Sequence, residues 1–235
     1  RLRDLEFWEK ANIKKVTAIE PSLVSVKKGI ARIKRQKPKI KIDLLHGIGD
    51  GIWDQGFAAL SNKHRFKKVF SEIKYFDCIT FMFTIHYMSK RFDILIPNII
   101  KYTKSKSKVI ILCMDGRYIH KKFLKDKNHK IEIFEDEIND EPELLFSLEP
   151  SYPIYDDTQK LGDVLVYFQG TYGLENKIKE PLVDIQELTD IMKKNNFDLV
   201  EKKKLIDIDI DEKKLLTKQM EKISDLYIGL VFQKK

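Results

Sequence analysis

Residues 15–22 read Lys-Val-Thr-Ala-Ile-Glu-Pro-Ser and contain the signals of a strand followed by a helix. Residues 15–20 predict a short buried strand that ends in an acid, Glu20. The proline and serine that follow predict the start of a helix over residues 24 to about 35, with Ser22 as its N-cap. A strand, an acid and a capped helix in this order are typical of a β–α unit in an α/β fold.

The same alternation of strand and helix continues along the chain. Residues 39–45 alternate charged and apolar side chains as a strand does, and residues 76–83 predict a strongly apolar strand. Residues 92–102 are helix-like, with Pro97 as a candidate helix start, and residues 108–114 predict another buried strand. This order predicts an α/β fold with a doubly wound, mostly parallel, Rossmann-like sheet.

The pattern breaks between about residues 117 and 160, which predicts an insertion. The acidic stretch, residues 135–143, predicts a solvated loop or a part of the insertion that lies over the sheet. Beyond the insertion a helix is predicted over residues 184–195, and strands are predicted over residues 164–168, 199–203 and 226–232. Because no internal repeat or low-complexity linker interrupts the chain, residues 1–235 are predicted to form a single domain with an insertion.

Composition narrows the class of protein. The 235 residues, 43% of them hydrophobic, suffice for one substantial core. The net charge of +8 and the pI of about 9.2 favour a polyanionic partner, with nucleic acid as one candidate. No apolar run reaches the length of a transmembrane helix, and residues 1–4 do not open a signal peptide, so no membrane partner is expected. Cys78 and Cys113 are predicted to be small buried hydrophobes, and no zinc spacing predicts a metal site.

Two acids lie where a doubly wound sheet binds ligands, beyond the carboxyl ends of its strands. Glu20 closes a strand, and its carboxylate offers acceptors for two ribose hydroxyls. Residues 46–51, His-Gly-Ile-Gly-Asp-Gly, follow the next strand and allow a tight loop in which Asp50 accepts an adenine amino group. The alternatives are a solvated glutamate before a helix and a solvated aspartate in an ordinary turn. A first strand with a glycine-rich turn should precede such an acid, and we expect it upstream of Arg1; a different start of the fold is the alternative.

Residues 83–87, Phe-Thr-Ile-His-Tyr, end the apolar strand with a distinctive Phe-x-x-His-Tyr motif. Alone, a His-Tyr pair after a strand is more often ordinary packing, but this motif resembles the strand-four signature of mRNA cap guanine-N7 methyltransferases. Further segments resemble the same family in chain order, and these are residues 1–8, 20, 24–32, 179–200 and 227–232. Residues 108–116 are particularly similar to poxvirus capping enzymes. The chain therefore resembles the methyltransferase domain of a capping enzyme from a large DNA virus of the poxvirus or asfarvirus type.

This resemblance implies a class I methyltransferase that uses S-adenosylmethionine and methylates N7 of the cap guanine. It assigns cap binding to Arg1, Arg32, Phe83, His86, Tyr87, Glu180 and Tyr227. It assigns cofactor binding to Asp4, Glu20, Gly49, Asp50, Met82, Phe83 and Tyr87. Glu180 would accept hydrogen bonds from guanine N1–H and the 2-amino group, and His86 would donate to O6. Because N7 carries a lone pair and no proton, no acid–base catalytic residue is expected, and proximity, orientation and electrostatics suffice.

Other interpretations stay open at this point. Glu180 also fits a solvated acid in a Lys-Glu-Pro loop, and His86 also fits a structural histidine at a strand end. If Glu180 lay far from His86 in space, recognition of the cap guanine by these residues would be excluded. The alternative functions are another class I methyltransferase, for a different RNA site or a small molecule, and a non-catalytic Rossmann-like RNA-binding module.

The resemblance also implies partners and a location. The substrate would be the capped 5′ end of mRNA, and triphosphatase and guanylyltransferase domains would lie upstream in the same polypeptide. A stimulatory subunit is left open. The expected location is the viral factory in the host cytoplasm, and the virion.

Overall fold

The computed structural model describes residues 5–135, 142–170, 177–208 and 217–235. Its helices are α1 Leu5–Lys10, α2 Leu23–Gln36, α3 Lys63–Glu72, α4 Phe92–Lys101, α5 Gly116–Lys125, α6 Ile185–Lys194 and α7 Lys218–Ser224, with 3₁₀ helices at Ile85–Arg91 and Leu205–Asp207. Its strands are β1 Lys15–Glu20, β2 Lys41–His46, β3 Phe76–Met82, β4 Thr103–Met114, β5 Ile131–Phe134, β6 Leu144–Pro150, β7 Asp163–Phe168, β8 Ile178–Pro181, β9 Phe197–Lys204 and β10 Tyr227–Lys234. Among the described residues, no helix combines the length and the apolar character that crossing a bilayer requires.

The described residues form two compact units. The first unit falls within Arg1–Phe76 and Arg91–Tyr102, and the second unit falls within Asp77–Lys90 and Thr103–Lys235. Buried apolar side chains form a core in each of them.

The first unit begins with the β–α unit that the sequence predicts. Strands β1 and β2 pair in parallel, with Glu20 opposite His46 at their carboxyl ends. The Ser22 side chain accepts a hydrogen bond from the Ser25 N–H and caps α2, as predicted. Helix α2 buries Val26 against Leu44 of β2, which joins the β–α unit into one small core.

The first unit also contains an aromatic cluster. Each ring of this cluster has a neighbouring ring whose centroid lies within about 6 Å, and the five residues are Trp53, Phe66, Phe70, Phe76 and Tyr102. Pro97 lies inside α4 and does not start a helix, which corrects the prediction. A proline has no N–H to donate one turn back, so the helix continues through Pro97 with one hydrogen bond fewer.

The second unit contains a four-stranded sheet in the order β3-β4-β10-β9. The Phe76 N–H donates to the Tyr102 carbonyl, and the Phe83 N–H donates to the Leu112 carbonyl. Since these bonds advance in the same direction along both segments, β3 and β4 are parallel. Strand β10 is antiparallel to both β4 and β9, so β4 and β9 also run the same way. The predicted α/β class with a mostly parallel sheet is confirmed.

The region of the predicted insertion contains a folded sheet. Strands β5, β6, β7 and β8 form a four-stranded antiparallel sheet that continues to Pro181, beyond the predicted limits of about 117–160. Helix α5, which was not predicted, lies before it and buries Ile119 and Phe123. One face of the sheet packs into the core of the second unit through Ile133, Phe146, Leu148, Val164 and Val166. Most of the acidic stretch 135–143 lies outside the described residues.

The two cysteines differ in environment. Cys113 is buried in β4, as predicted, whereas Cys78 is exposed on β3, which corrects the prediction. Strand β3 is the edge strand of its sheet, and Phe81 is its one buried side chain. An apolar run therefore did not guarantee burial at this position.

Candidate active site

The site of the second unit starts where β3 ends. Phe83 has a φ of 54°, in the left-handed region that side chains other than glycine rarely adopt. Such a conformation costs about 1–2 kcal/mol, and here the hydrogen bond from the Phe83 N–H to the Leu112 carbonyl, at 2.7 Å, holds it. The sharp change of direction brings the chain into the 3₁₀ helix Ile85–Arg91, which carries His86 and Tyr87.

A buried carboxylate faces this helix. Glu180 lies in β8, opposite Val164 of β7, and only 7% of it is exposed. The Tyr87 hydroxyl donates to Glu180 Oε1 at 2.6 Å. His86 Nε2 lies 3.5 Å from Glu180 Oε2. The structure therefore brings together residues from two distant parts of the sequence, and Glu180 is not the solvated loop acid of the alternative interpretation.

Burial changes the proton affinities of both groups. It raises the pKa of the Glu180 carboxyl above its ordinary value, and the hydrogen bond from Tyr87 acts in the opposite direction. Burial lowers the pKa of His86 to about 4, so the imidazole is neutral at neutral pH. The contact between His86 and Glu180 has the distance of an ion pair, but its histidine carries no charge under these conditions.

His86 has unused hydrogen-bonding capacity. Only 5% of the residue is exposed, and both ring nitrogens are buried without a hydrogen-bond partner among the residues that the structure describes. Its ring packs on Tyr87, with centroids 4.0 Å apart. Buried polar atoms normally find partners, so an unpaired imidazole beside a carboxylate is a candidate for contact with a polar ligand.

Aromatic rings border the same region. Phe83 meets Tyr227, at the start of β10, edge to face, with ring centroids 5.3 Å apart and an interplanar angle of 82°. Phe83, Tyr87 and the preceding Met82 are each close to half exposed. Exposed aromatic and thioether side chains beside a buried polar pair suit a flat ligand with a polar edge.

An ion pair joins the helix that carries Tyr87 to the strand pair that carries Glu180. Lys90, at the end of the 3₁₀ helix, lies 3.3 Å from the carboxylate of Asp163 at the start of β7. Lys179 of β8 lies 3.6 Å from the same carboxylate. Because both lysines are exposed, these pairs orient the elements more than they stabilise them. Neither Lys90 nor Asp163 was predicted from the sequence, because no local motif marks this pair.

The predicted cofactor residues of the first unit lie at the carboxyl ends of β1 and β2. Glu20 Oε1 accepts a hydrogen bond from the Ser22 N–H at 2.8 Å, so part of its carboxylate stabilises the turn into α2. The Gly47 N–H donates to the Glu20 carbonyl, and Asp50 is partly exposed in the loop after β2. A carboxylate has up to four acceptor positions, so Glu20 keeps capacity for a ligand.

The loop after β2 is held rigidly. Trp53 Nε1 donates to the Gly49 carbonyl at 2.8 Å, and Asn98 Nδ2 donates to the Gly51 carbonyl at 2.8 Å. A Cβ at Gly47 would stand 2.5 Å from the Ala58 carbonyl oxygen, so this position requires glycine. The glycines are visible in the sequence, but no signal marks Trp53 and Asn98, which lie far from each other along the chain.

The structure groups part of the predicted site. His86, Tyr87 and Glu180 share contacts, and so do Phe83 and Tyr227. Met82, Glu20, Gly49, Asp50 and Arg32 lie where their elements were predicted, Arg32 within α2, and their ligand roles stay predictions. Arg1 and Asp4 lie outside the described residues. Among the residues that the structure describes, no group of three or more His, Cys, Asp and Glu is arranged to hold a metal ion.

Several solved structures have a fold similar to that of this chain. The structural alignment with an S-adenosylmethionine-dependent methyltransferase from Mesorhizobium loti covers 97% of this chain and 84% of that protein's chain, with a TM-score of 0.55 and 10% sequence identity. One from Clostridium acetobutylicum matches 94% and 75%, with a TM-score of 0.52 and 13% identity. The glycopeptide N-methyltransferase MtfA complexed with S-adenosyl-L-methionine matches 98% and 81%, with a TM-score of 0.52 and 9% identity. No protein-family model and no curated protein matches the sequence significantly. At these identities the likeness concerns the fold, which is that of class I S-adenosylmethionine-dependent methyltransferases.

Proposed function

We propose that this chain is an S-adenosylmethionine-dependent methyltransferase that acts on N7 of the guanine in an mRNA cap. The observation that carries the proposal is the buried Glu180 carboxylate, held between Tyr87 and an unpaired, neutral His86. A buried carboxylate with a raised pKa and an unpaired neighbour is typical of a ligand-binding position.

Guanine has the complementary edge. Its N1–H and 2-amino group are adjacent donors, and an ionised carboxylate offers two adjacent acceptors. Tyr87, which is 52% exposed, holds Oε1 of Glu180. Binding of guanine would exchange the tyrosine hydroxyl for a ring N–H at that oxygen. Adenine lacks this pair of donors, so the same carboxylate would reject it.

The neighbours of Glu180 complete the base contacts. As a neutral imidazole, His86 keeps one N–H, which can donate to guanine O6. Phe83 and Tyr87 present ring faces on which a base can stack. Tyr227 supports Phe83 from the side through the edge-to-face contact.

The first unit has residues that suit the cofactor. Glu20 offers carboxylate acceptors to ribose hydroxyls, and Asp50 offers them to the adenine amino group, both beyond the carboxyl ends of parallel strands. The buried Nδ1 of His46, opposite Glu20, has no hydrogen-bond partner within the described part of the chain, which is consistent with a polar ligand at this strand end. S-adenosylmethionine would supply an electrophilic methyl group on its sulfonium.

The protein residues need to perform little chemistry. N7 carries a lone pair and no proton, so the transfer requires no general base. Glu180 and His86 would orient the base, and the aromatic side chains would exclude water from its faces. The negative charge of Glu180 would also favour the positive charge that develops on the methylated guanine.

The fold alone fits a class I methyltransferase for another acceptor equally well. The Glu180–Tyr87–His86 arrangement favours guanine over acceptors without adjacent donors. The capped 5′ end of mRNA as partner, upstream capping domains, a stimulatory subunit and a location in viral factories or the virion are parts of the same proposal that rest on the sequence resemblance.

The test is a methyl-transfer assay with methyl-labelled S-adenosylmethionine and GpppA-capped RNA, followed by digestion and location of the label. We expect label on N7 of the cap guanine with the wild type and strongly reduced transfer with Glu180→Gln. Glu187→Gln, at an exposed glutamate in the first turn of α6, removes the same charge and should retain activity. Label on another position or no transfer despite cofactor binding would contradict the proposal.

A further inference from the structure

The basic residues of this chain are unevenly distributed. The first unit contains 20 Lys and Arg against 9 Asp and Glu, a net charge of +11. The second unit contains 24 against 27, a net charge of −3. The positive charge that favours a polyanion therefore belongs to the first unit, whereas Glu180 and its neighbours belong to the second.

Helix α3 concentrates this charge beside an exposed ring. Lys63, His64, Arg65, Lys67 and Lys68 follow one another on α3 with only Phe66 between them, and the helix has its single acid at its last residue, Glu72. Phe57, in the loop before the helix, is 59% exposed, and Leu60 of the same loop is half exposed. Lys63 Nζ lies 4.6 Å from the centroid of the Phe57 ring.

The geometry of this basic–aromatic surface, defined as Phe57 with the exposed cations of α3, is fixed by its backbone. Gly56 has a φ of 69°, and a Cβ there would stand 2.9 Å from Lys63 Cγ and 3.0 Å from Lys67 Cγ. The stems of both lysines thus lie against the glycine that precedes Phe57. Asp54, the acid of this loop that lies nearer Phe57 in sequence, already pairs with Lys101.

We propose that the basic–aromatic surface binds the single-stranded body of an RNA, with Phe57 stacking on a base and the α3 cations contacting phosphates. Lysine and arginine on a surface attract phosphates, and an exposed aromatic ring accepts any base by stacking. This inference rests on the proposed function, because it adds a site for the RNA that follows the cap. It is a binding property, however, and can be measured without methyl transfer.

An anionic membrane fits these residues less well. A membrane-binding helix needs a broad apolar face to insert, and α3 buries its apolar residues Phe66, Val69 and Phe70 in the core. Phe57 and Leu60 are the exposed apolar side chains of this surface, which is little for insertion but sufficient for stacking one base.

The experiment measures binding of a fluorescently labelled, uncapped oligouridylate to the whole chain by anisotropy over a series of salt concentrations. Phe57→Leu keeps the apolar bulk but removes the ring, and we expect it to weaken binding roughly 5- to 150-fold without changing the salt dependence. Phe57→Tyr should bind as the wild type does. The double variant Lys63→Gln with Lys67→Gln keeps the stems and should lower the slope of log K against log salt by about 1.4.

The matched control is Lys193→Gln with Lys194→Gln at the exposed end of α6, which removes the same charge from the second unit and should change the slope much less. Wild-type affinity in Phe57→Leu, or equal slope changes in the two lysine pairs, would overturn the inference. Loss of binding to phosphatidylserine vesicles in Phe57→Leu with unchanged RNA binding would also overturn it and indicate a membrane surface. Because the RNA is uncapped and no cofactor is present, failure of the methyltransferase proposal would leave these readouts unaffected.

Discussion

Replacement of Glu180 by glutamine is the most direct test of whether this residue recognises guanine. The amide side chain would keep one acceptor oxygen and would place an N–H donor against a guanine donor where the second carboxylate oxygen now lies. Loss of one hydrogen bond to a charged group costs about 1.5–3 kcal/mol, and the buried guanine donor left facing another donor adds about 1–3 kcal/mol. That corresponds to a decrease in kcat/KM of roughly 10²- to 10⁴-fold.

The assay compares a GpppA cap with an inosine cap that lacks the 2-amino group. The wild type should prefer guanine roughly tenfold or more, since inosine loses one bond to the carboxylate. Glu180→Gln should lose most of this preference. A variant that still prefers guanine over inosine as strongly as the wild type would refute the argument, whatever its absolute activity. Glu187→Gln serves as the control for a general change of charge.

Three further outcomes are expected. Tyr87→Phe removes the hydrogen bond that lowers the pKa of Glu180, so the acid limb of the kcat/KM profile should move to higher pH; an unmoved limb would exclude Glu180 as the titrating group. The pKa of His86 falls from 6.5 in the unfolded chain to about 4 in the folded protein. The contribution of His86 to stability is therefore complete above pH 6.5 and declines toward pH 4. Denaturant titrations should show that His86→Gln reduces the loss of unfolding free energy between pH 7 and pH 4 by about 3 kcal/mol. Gly47→Ala forces a Cβ against the Ala58 carbonyl and should lower the unfolding free energy, measured in a thermal melt, by about 1–3 kcal/mol. The control Gly229→Ala, whose Cβ meets ordinary van der Waals contacts, should lower it less. Equal losses would show that the close approach at Gly47 does not determine the cost.

The elements that depend on local patterns could be predicted from the sequence. Strand β1, capped helix α2 and the closing strands have the apolar periodicity and capping residues that reveal them in isolation. Pro97 misled the prediction, because a proline is favoured at a helix start and the cost of one within a helix depends on packing that no local pattern shows. The insertion was predicted, but the strands of its sheet were not, apart from β7. Its short strands β5 and β8 have four residues each, too few for a periodic signal.

The candidate site shows the same division. The Phe-x-x-His-Tyr motif and the segment around Glu180 were found in sequence, but the 2.6 Å bond from Tyr87 joins residues 93 positions apart. Long-range contacts of this kind arise from strand pairing and cannot be inferred from spacing. The lowered pKa of His86 also follows from burial, which no sequence pattern indicates at a single polar position.

The pairing of β8 with β7 has a further consequence. Glu180 stands opposite Val164, and its neighbour Lys179 stands opposite Leu165 and points to the other side of the sheet. A slip of β8 by one residue would exchange the two and bring an ammonium group to the place of the carboxylate. The charge at this position is thus determined by the register of β8 as much as by the amino acids present. The same register determines whether the position suits a ligand with hydrogen-bond donors or one with acceptors.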